Sequence, residues 1–162
     1  MATKEQKLKG ITNHDFGLAR QQKRLFIGID PGVRTGVCAY KAGHIWVPFT
    51  GGIIESIMDV VEMHKSELQA TGRGAVVIIE DARLRKKFNR GQEGLQGAGS
   101  VKRDSAIWCE AMVHFGIEFY RKAPAGTSNK IASDEGLFAK ITGITHSASI
   151  HARCAAMIVH GL

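Results

Sequence analysis

Two unbroken apolar runs that each end in an acid constrain the fold of this chain most. The first covers residues 25–30 and ends at Asp30 before a Pro-Gly pair, and the second covers residues 75–80 and ends at Glu80. Runs of this kind are typical of buried strands covered on both faces. Between them, the apolar residues of 54–68 recur at helical spacing and glycines follow. A strand, a crossover helix and a second strand predict a mixed sheet.

The remaining pattern predicts more strands and helices around this unit. Strands are expected at 35–40 and 44–49, joined as a hairpin around Ala42-Gly43, and at 117–120. Ser100 is expected to cap a helix that carries inward Trp108, Ala111, Met112 and Phe115. After a loop at 123–129, helices are expected from Ser133 to Ile141, stopped by Gly143, and from Ser147 to His160.

Length and charge suggest one domain with a polyanionic partner. The 162 residues, 44% of them apolar, suffice for one ordinary core. We expect a basic, flexible arm at 1–23 and a folded domain at 24–162. The excess of 22 Lys and Arg over 15 Asp and Glu gives a formal charge of +7, which favours binding to nucleic acid.

Cysteine usage and the start of the chain indicate a compartment. Three cysteines without a CxxC pair argue against a disulfide framework and against a zinc knuckle. A reducing cytoplasm, in a bacterium or a phage-infected host, fits this usage. We expect no signal peptide and no membrane span, because the first 24 residues are polar and basic.

Four side chains are candidates for metal chemistry. If the two acid-ended strands are neighbours, Asp30 and Glu80 emerge at one sheet edge, where carboxylates suit Mg²⁺ or Mn²⁺. Ordinary solvated strand ends are the alternative. His151 and Cys154 share one face of the last predicted helix. A packed histidine and a small core cysteine are the alternative there.

The motif Ile-Gly-Ile-Asp-Pro-Gly at 27–32, with Thr35-Gly36 beyond it, resembles the start of RuvC-type Holliday-junction resolvases. The resemblance covers roughly residues 25–160, including the order of strands and helices and the strand that ends at Glu80. It implies an α/β, RNase H-like fold, a five-stranded mixed sheet flanked by helices. It also implies a crossover junction endodeoxyribonuclease, of bacterial or phage origin, that acts on branched DNA as a homodimer.

The resemblance also implies roles for single residues. Asp30, Glu80 and position 154 would hold two divalent ions, Mg²⁺ or Mn²⁺, with His151 a ligand or a partner of the attacking water. Lys130 loosely matches a basic residue near the scissile phosphate, or it is a lone surface lysine. The family's last helix supplies His-x-x-Asp or Asp-x-x-Asp, whereas this chain has Cys154. A thiol ligates Mg²⁺ poorly, so Cys154 is either natural and compensated or an engineered, disarming change.

A basic segment after Glu80 is the predicted nucleic-acid contact. Its members are Arg83, Arg85, Lys86, Lys87, Arg90, Lys102 and Arg103. Such a cluster binds phosphates by counterion release, although a solvated charged loop is the alternative. Phe88 lies among these charges and either stacks on an opened base or anchors the loop.

The predicted function is resolution of four-way DNA junctions by paired nicks. A symmetric substrate implies a homodimer, because one site cuts one strand. Two alternative functions are also compatible with the sequence. The chain binds junctions without cutting them because of Cys154, or it is an RNA-processing nuclease on the same fold.

Overall fold

A single mixed sheet organises the chain. The computed structural model describes residues 23–46, 48–85 and 92–162, without the side chains of 92–98. The strands are β1 (Phe26–Asp30), β2 (Arg34–Lys41), β3 (His44–Ile45), β4 (Phe49–Gly52), β5 (Val76–Glu80) and β6 (Glu118–Lys122). Their order is β3-β2-β1-β5-β6, and β4 also pairs with β2. The central strands β1, β5 and β6 are parallel, and β2 is antiparallel to β1.

Helices cover both faces of this sheet. They are α1 (Ile53–Thr71), α2 (Gln92–His114), α3 (Gly126–Ser133), α4 (Glu135–Thr142) and α5 (Ile150–Val159), with a 3₁₀ turn at Ala82–Leu84. The helix α1 connects β4 to β5 and ends at Gly72, whose positive φ is the conformation that glycine adopts most easily. The predicted α/β fold, with a mixed sheet flanked by helices, is confirmed.

Alternation along the central strands explains why their sequences are unbroken apolar runs. Ile29 and Ile79 pack with Trp108 of α2 and with residues of α1. Phe26 and Ile78 point to the other side and pack against α5. Because successive side chains of a strand point to opposite faces, a strand covered on both faces has no place for a polar residue. We call these two sides the α1–α2 face and the α5 face.

The strand predicted at residues 44–49 is divided into two short strands, β3 and β4. The hairpin turn at Ala42 and Gly43 forms as predicted, with positive φ at both residues. Beyond it, Tyr40 of β2 pairs with Ile45, whereas Val37 pairs with Phe49, one residue later than a continuous register would place it. One extra residue therefore lies between β3 and β4, as in a β-bulge. This bulge splits the predicted strand and gives a six-stranded sheet.

The start predicted for the helix after Glu80 was wrong. The helix α2 begins at Gln92, so Ser100 lies inside it and does not cap it. Trp108 and Met112 are fully buried as predicted, and Ala111 packs against the core. Phe115 follows the helix and is 42% exposed, so its inward placement was also wrong. The glycines that suggested a loop are overridden by the packing of the helix's second half on the sheet.

The helices near the end of the chain also have different bounds. The predicted loop at 123–129 gives way at Gly126 to α3, which ends at Ser133. The next helix is capped by Asp134 rather than Ser133, since the Asp134 carboxylate accepts a hydrogen bond from the Leu137 amide at 2.9 Å. Gly143 ends it as predicted. The last helix is shorter than predicted, with Ser149 as its cap.

Two further expectations concern the whole chain. Cys38, Cys109 and Cys154 all carry free thiols, in agreement with the expected lack of a disulfide framework. Across the helices that the structure describes, none combines the length and the apolar character that a membrane crossing requires.

Candidate active site

Parallel pairing brings the two acids together. Ile29 of β1 lies opposite Ile79 of β5, and the next residues of the two strands are Asp30 and Glu80. Both therefore lie at the same edge of the sheet, on the α5 face. Burial raises the pKa of Glu80 to about 7, and the charge of Asp30 adds to this effect. The cations of Arg85 and Lys122 oppose it. The carboxylates of Asp30 and Glu80 are therefore close enough to interact, as expected from their positions at the ends of two neighbouring strands.

Two glycines let α5 contact the sheet directly beside Asp30. A Cβ atom added at Gly36 would lie 2.0 Å from the backbone oxygen of His151, and one added at Gly28 would lie 2.4 Å from that of Ala155. These distances leave room only for hydrogen, so helix backbone and strand backbone touch. Gly36 pairs with Asp30 across β1 and β2. The close contact thereby places the start of α5 next to Asp30.

His151 is bonded to the first acid. Its Nδ1 atom lies 3.0 Å from Oδ2 of Asp30. This hydrogen bond raises the pKa of His151, and burial opposes the rise. The ring is 47% exposed, while Asp30 is 16% exposed. The structure therefore brings His151 next to Asp30, and the Nε2 atom of its ring is left to exchange a proton with another group.

Cys154 faces the acids but is neutral. Burial raises the pKa of its thiol to about 12, and the charges of Asp30 and Glu80 act in the same direction. Its Sγ atom lies 3.9 Å from Oδ1 of Asn129, which accepts a hydrogen bond from the protonated thiol. At neutral pH this position adds no negative charge to the site.

Asp30 and Glu80 supply the kind of oxygen ligand that a hard cation prefers. Among the residues that the structure describes, no group of three or more His, Cys, Asp or Glu side chains is arranged to hold a metal ion. Asp30 and Glu80 nevertheless repel each other, and a divalent ion between carboxylates relieves such repulsion. His151 is already bonded to Asp30, and Cys154 faces Asn129. The two divalent ions therefore stay a prediction.

Sequence reasoning missed two residues beside the acids. Lys122 lies opposite Glu80 in the register of β5 and β6. Burial lowers the pKa of Lys122, and the charge of Glu80 opposes this. Its only sequence signal is a strand that continues two residues past Tyr120. Asn129 was assigned to a loop, and nothing in the sequence places it against Cys154. Lys130 follows it on α3 with an exposed side chain.

The residues predicted to contact nucleic acid differ in their surroundings. Arg83 forms an ion pair with the buried Asp81 at 2.7 Å. Arg85 is exposed and close enough to Glu80 to lower its pKa. Lys102 is half-buried, and Arg103 is largely exposed and pairs with Asp104 at 3.0 Å. The other predicted contacts, Lys86, Lys87, Phe88 and Arg90, lie outside the described residues, as does the predicted arm except Lys23.

Comparison with known proteins finds similarity at the level of structure. No protein-family model and no curated protein matches the chain. A solved structure of T. thermophilus RuvC in complex with a Holliday junction substrate is similar to it, with 16% sequence identity and a TM-score of 0.47. The similarity covers 83% of this chain and 89% of the RuvC chain.

Proposed function

We propose that this protein is a divalent-metal-dependent endonuclease that cuts branched DNA, resolving four-way junctions by paired nicks. The observation that carries the proposal is the parallel register of β1 and β5, which sets Asp30 and Glu80 side by side on the α5 face. His151 adds a titratable group bonded to Asp30. Paired carboxylates with an adjacent imidazole suit phosphodiester hydrolysis.

Each residue of the site has a separate role in the proposed reaction. Asp30 and Glu80 would hold the cation, which when bound activates water and stabilises the leaving oxygen. The Asp30 carboxylate fixes the His151 ring through Nδ1. The Nε2 atom of that ring is then free of this bond to accept or return a proton near the substrate. Lys122 places a positive charge beside Glu80 before any cation binds.

Charge supports a nucleic-acid substrate. The chain carries a formal charge of +7. Arg85 and Arg103 are exposed, and Arg85 lies near Glu80. Positive groups next to a carboxylate pair attract a phosphate backbone toward the reacting centre. Four-way DNA, rather than linear duplex or structured RNA, is the substrate class that follows from the resemblance of the motif at residues 27–32.

A second candidate function is junction binding without cleavage. The neutral thiol of Cys154, with its raised pKa, favours it, because a site with two carboxylates holds Mg²⁺ less well than a site with three. Junction binding requires only the basic residues, so the lack of a third carboxylate does not affect it.

Cleavage of synthetic substrates tests both candidates. A four-way junction, a linear duplex and a structured RNA are incubated with Mg²⁺ or Mn²⁺ and either the chain as given or its Cys154→Asp variant. We expect junction cleavage, faster in Cys154→Asp with Mg²⁺ by about tenfold or more, as for other groups that tune a metal site. Asp30→Asn is the inactive control.

Each other outcome has a defined meaning. Tight junction binding with no cleavage by either form supports the binding-only function. Preferential cleavage of RNA overturns the DNA assignment. Equal cleavage by the two forms shows that a third carboxylate is not needed.

A further inference from the structure

Arg83 has an internal role that its sequence context concealed. Its Nε atom lies 2.8 Å from Oδ1 of Asp81, and its Nη2 atom lies 2.7 Å from Oδ2, a two-pronged charge-assisted contact. The same Nη2 reaches the Cys109 sulfur at 3.1 Å. Asp81 is 0% exposed and also pairs with Arg121 at 3.3 Å. The Asp81 carboxylate thus forms ion pairs with two guanidinium groups.

These contacts lie on the side of the sheet away from the candidate active site. Asp81 follows Glu80 directly, so the pleat turns its side chain to the opposite face. Cys109 and Phe119 belong to the core on the α1–α2 face, and Arg121 lies two residues beyond Phe119 on β6. The guanidinium of Arg83 therefore points away from Asp30 and His151.

The same residues also fix the backbone beside the site. The Asp81 amide donates to the carbonyl of Lys122 at 2.8 Å, which extends the pairing of β5 and β6 by one residue past Glu80. The Asp81 carboxylate also accepts from the Arg83 amide at 2.9 Å and so caps the 3₁₀ turn. This local bonding sets the position of Glu80 and the direction in which the basic segment leaves the sheet.

We propose that Asp81, Arg83 and Arg121 form a charge clamp that positions Glu80 for cation binding, and that Arg83 acts through this clamp rather than by contact with nucleic acid. The proposal rests on the proposed function, because it assigns a role within that site. Arg83 and Arg85 are two residues apart yet have opposite roles. Arg83, with its side chain 33% exposed, is bound by Asp81 on the α1–α2 face, whereas the exposed Arg85 lies near Glu80.

A matched pair of variants separates the two roles. In Arg83→Gln we expect Mn²⁺ affinity, measured by paramagnetic resonance on the free protein, to fall about tenfold, as for other supporting residues of metal sites. In Arg85→Gln it should stay equal or rise, because a positive charge near Glu80 is removed. Arg83→Lys should not restore Mn²⁺ binding, since an ammonium cannot make the two-pronged contact.

For junction binding we expect the reverse, with an effect in Arg85→Gln and none in Arg83→Gln. The slope of log affinity against log salt should drop by about 0.9 in Arg85→Gln, the loss of one phosphate contact, and stay unchanged in Arg83→Gln. A reduced slope in Arg83→Gln together with unchanged Mn²⁺ affinity overturns the clamp.

Hydrogen exchange of the Asp81 amide keeps the clamp testable if the chain binds neither metal nor nucleic acid. Exchange should be faster in Arg83→Gln and Arg83→Lys than in Arg85→Gln. Failure of binding with this exchange pattern contradicts the proposed function but leaves the clamp intact. Unchanged exchange in all variants contradicts the clamp itself.

Discussion

Glu80 lies in an environment that disfavours its negative charge. Burial and the charge of Asp30 raise its pKa from 4.5 to about 7, so the folded chain resists its ionisation. A carboxyl group with a raised pKa contributes stability that is fully present below its unfolded pKa and is lost as the pH rises through the folded value. Above neutral pH without metal, Glu80 therefore opposes folding.

A Glu80→Gln substitution should stabilise the metal-free protein at alkaline pH. The gain in unfolding free energy should reach at most about 3 kcal/mol at pH 8, from the size of the pKa shift, and vanish at pH 4. Urea denaturation in the presence of a chelator at both pH values measures it. Glu110→Gln, at an exposed position of α2, is the matched control and should change stability little. A gain of equal size at both pH values would contradict this explanation.

Some residues of the site could be predicted from the sequence, and others could not. Asp30 and Glu80 end apolar runs, so their position follows from strand periodicity alone. Lys122 depends on where β6 ends and on its register with β5, and neither is encoded locally. The pairing of Arg83 with Asp81 is a local contact between residues two positions apart, but the composition of the charged stretch around it instead suggests a solvated loop.

At the scale of elements, the contact between α5 and the sheet decides the geometry of the site. His151 reaches Asp30 because the helix backbone rests on Gly28 and Gly36 without intervening side chains. Helices on sheets are ordinarily kept apart by side chains. Here the two glycines remove that layer at the place where the chemistry is expected.

A Gly36→Ala substitution should separate α5 from β2. Its methyl group would lie 2.0 Å from a backbone oxygen, so the helix must shift. We expect a loss of about 1–3 kcal/mol in unfolding free energy, typical of overpacking, and a weaker contact of His151 with Asp30. Gly99→Ala in α2, where an added Cβ meets nothing within 4 Å, is the control and should be neutral or stabilising. Thermal unfolding and the histidine NMR titration report both effects, and an unchanged titration would contradict them.

Elements were predictable where local pattern and tertiary packing agree. The strands β1 and β5 and the helix α1 carry clear periodicity and terminating residues. The start of α2 was not predictable, because glycines at 94, 97 and 99 lower helix propensity while the rest of the helix packs on the sheet. The bulge between β3 and β4 has no sequence signal of its own.

At the scale of the whole molecule, the candidate active site and the residues that support it lie on opposite faces of the sheet. The acids, His151 and Cys154 meet on the α5 face, whereas the clamp and the larger core cluster lie on the α1–α2 face. A single such site suits the cutting of one strand. The proposed pair of nicks in one junction would therefore involve two chains.

Mixing experiments test the predicted homodimer. A cleavage-competent form is combined with excess Asp30→Asn chains, so that most dimers contain at most one working site. We expect nicked junctions to accumulate in place of resolved duplexes, because the second strand stays uncut. Gel electrophoresis under native and denaturing conditions separates these products. Undiminished resolution at a large excess of the variant would show that one chain cuts both strands.

The alternation of β5 has a consequence for insertions and deletions. Glu80 and Asp81 serve opposite faces of the sheet, one in the site and one in the clamp. Loss of a single residue between Gly74 and Glu80 would exchange these faces and turn the acid toward the core. Homologous chains should therefore tolerate substitutions in this strand while keeping its length constant. Length differences should instead accumulate at the hairpin turn of Ala42 and Gly43, where a change of loop leaves both faces in place.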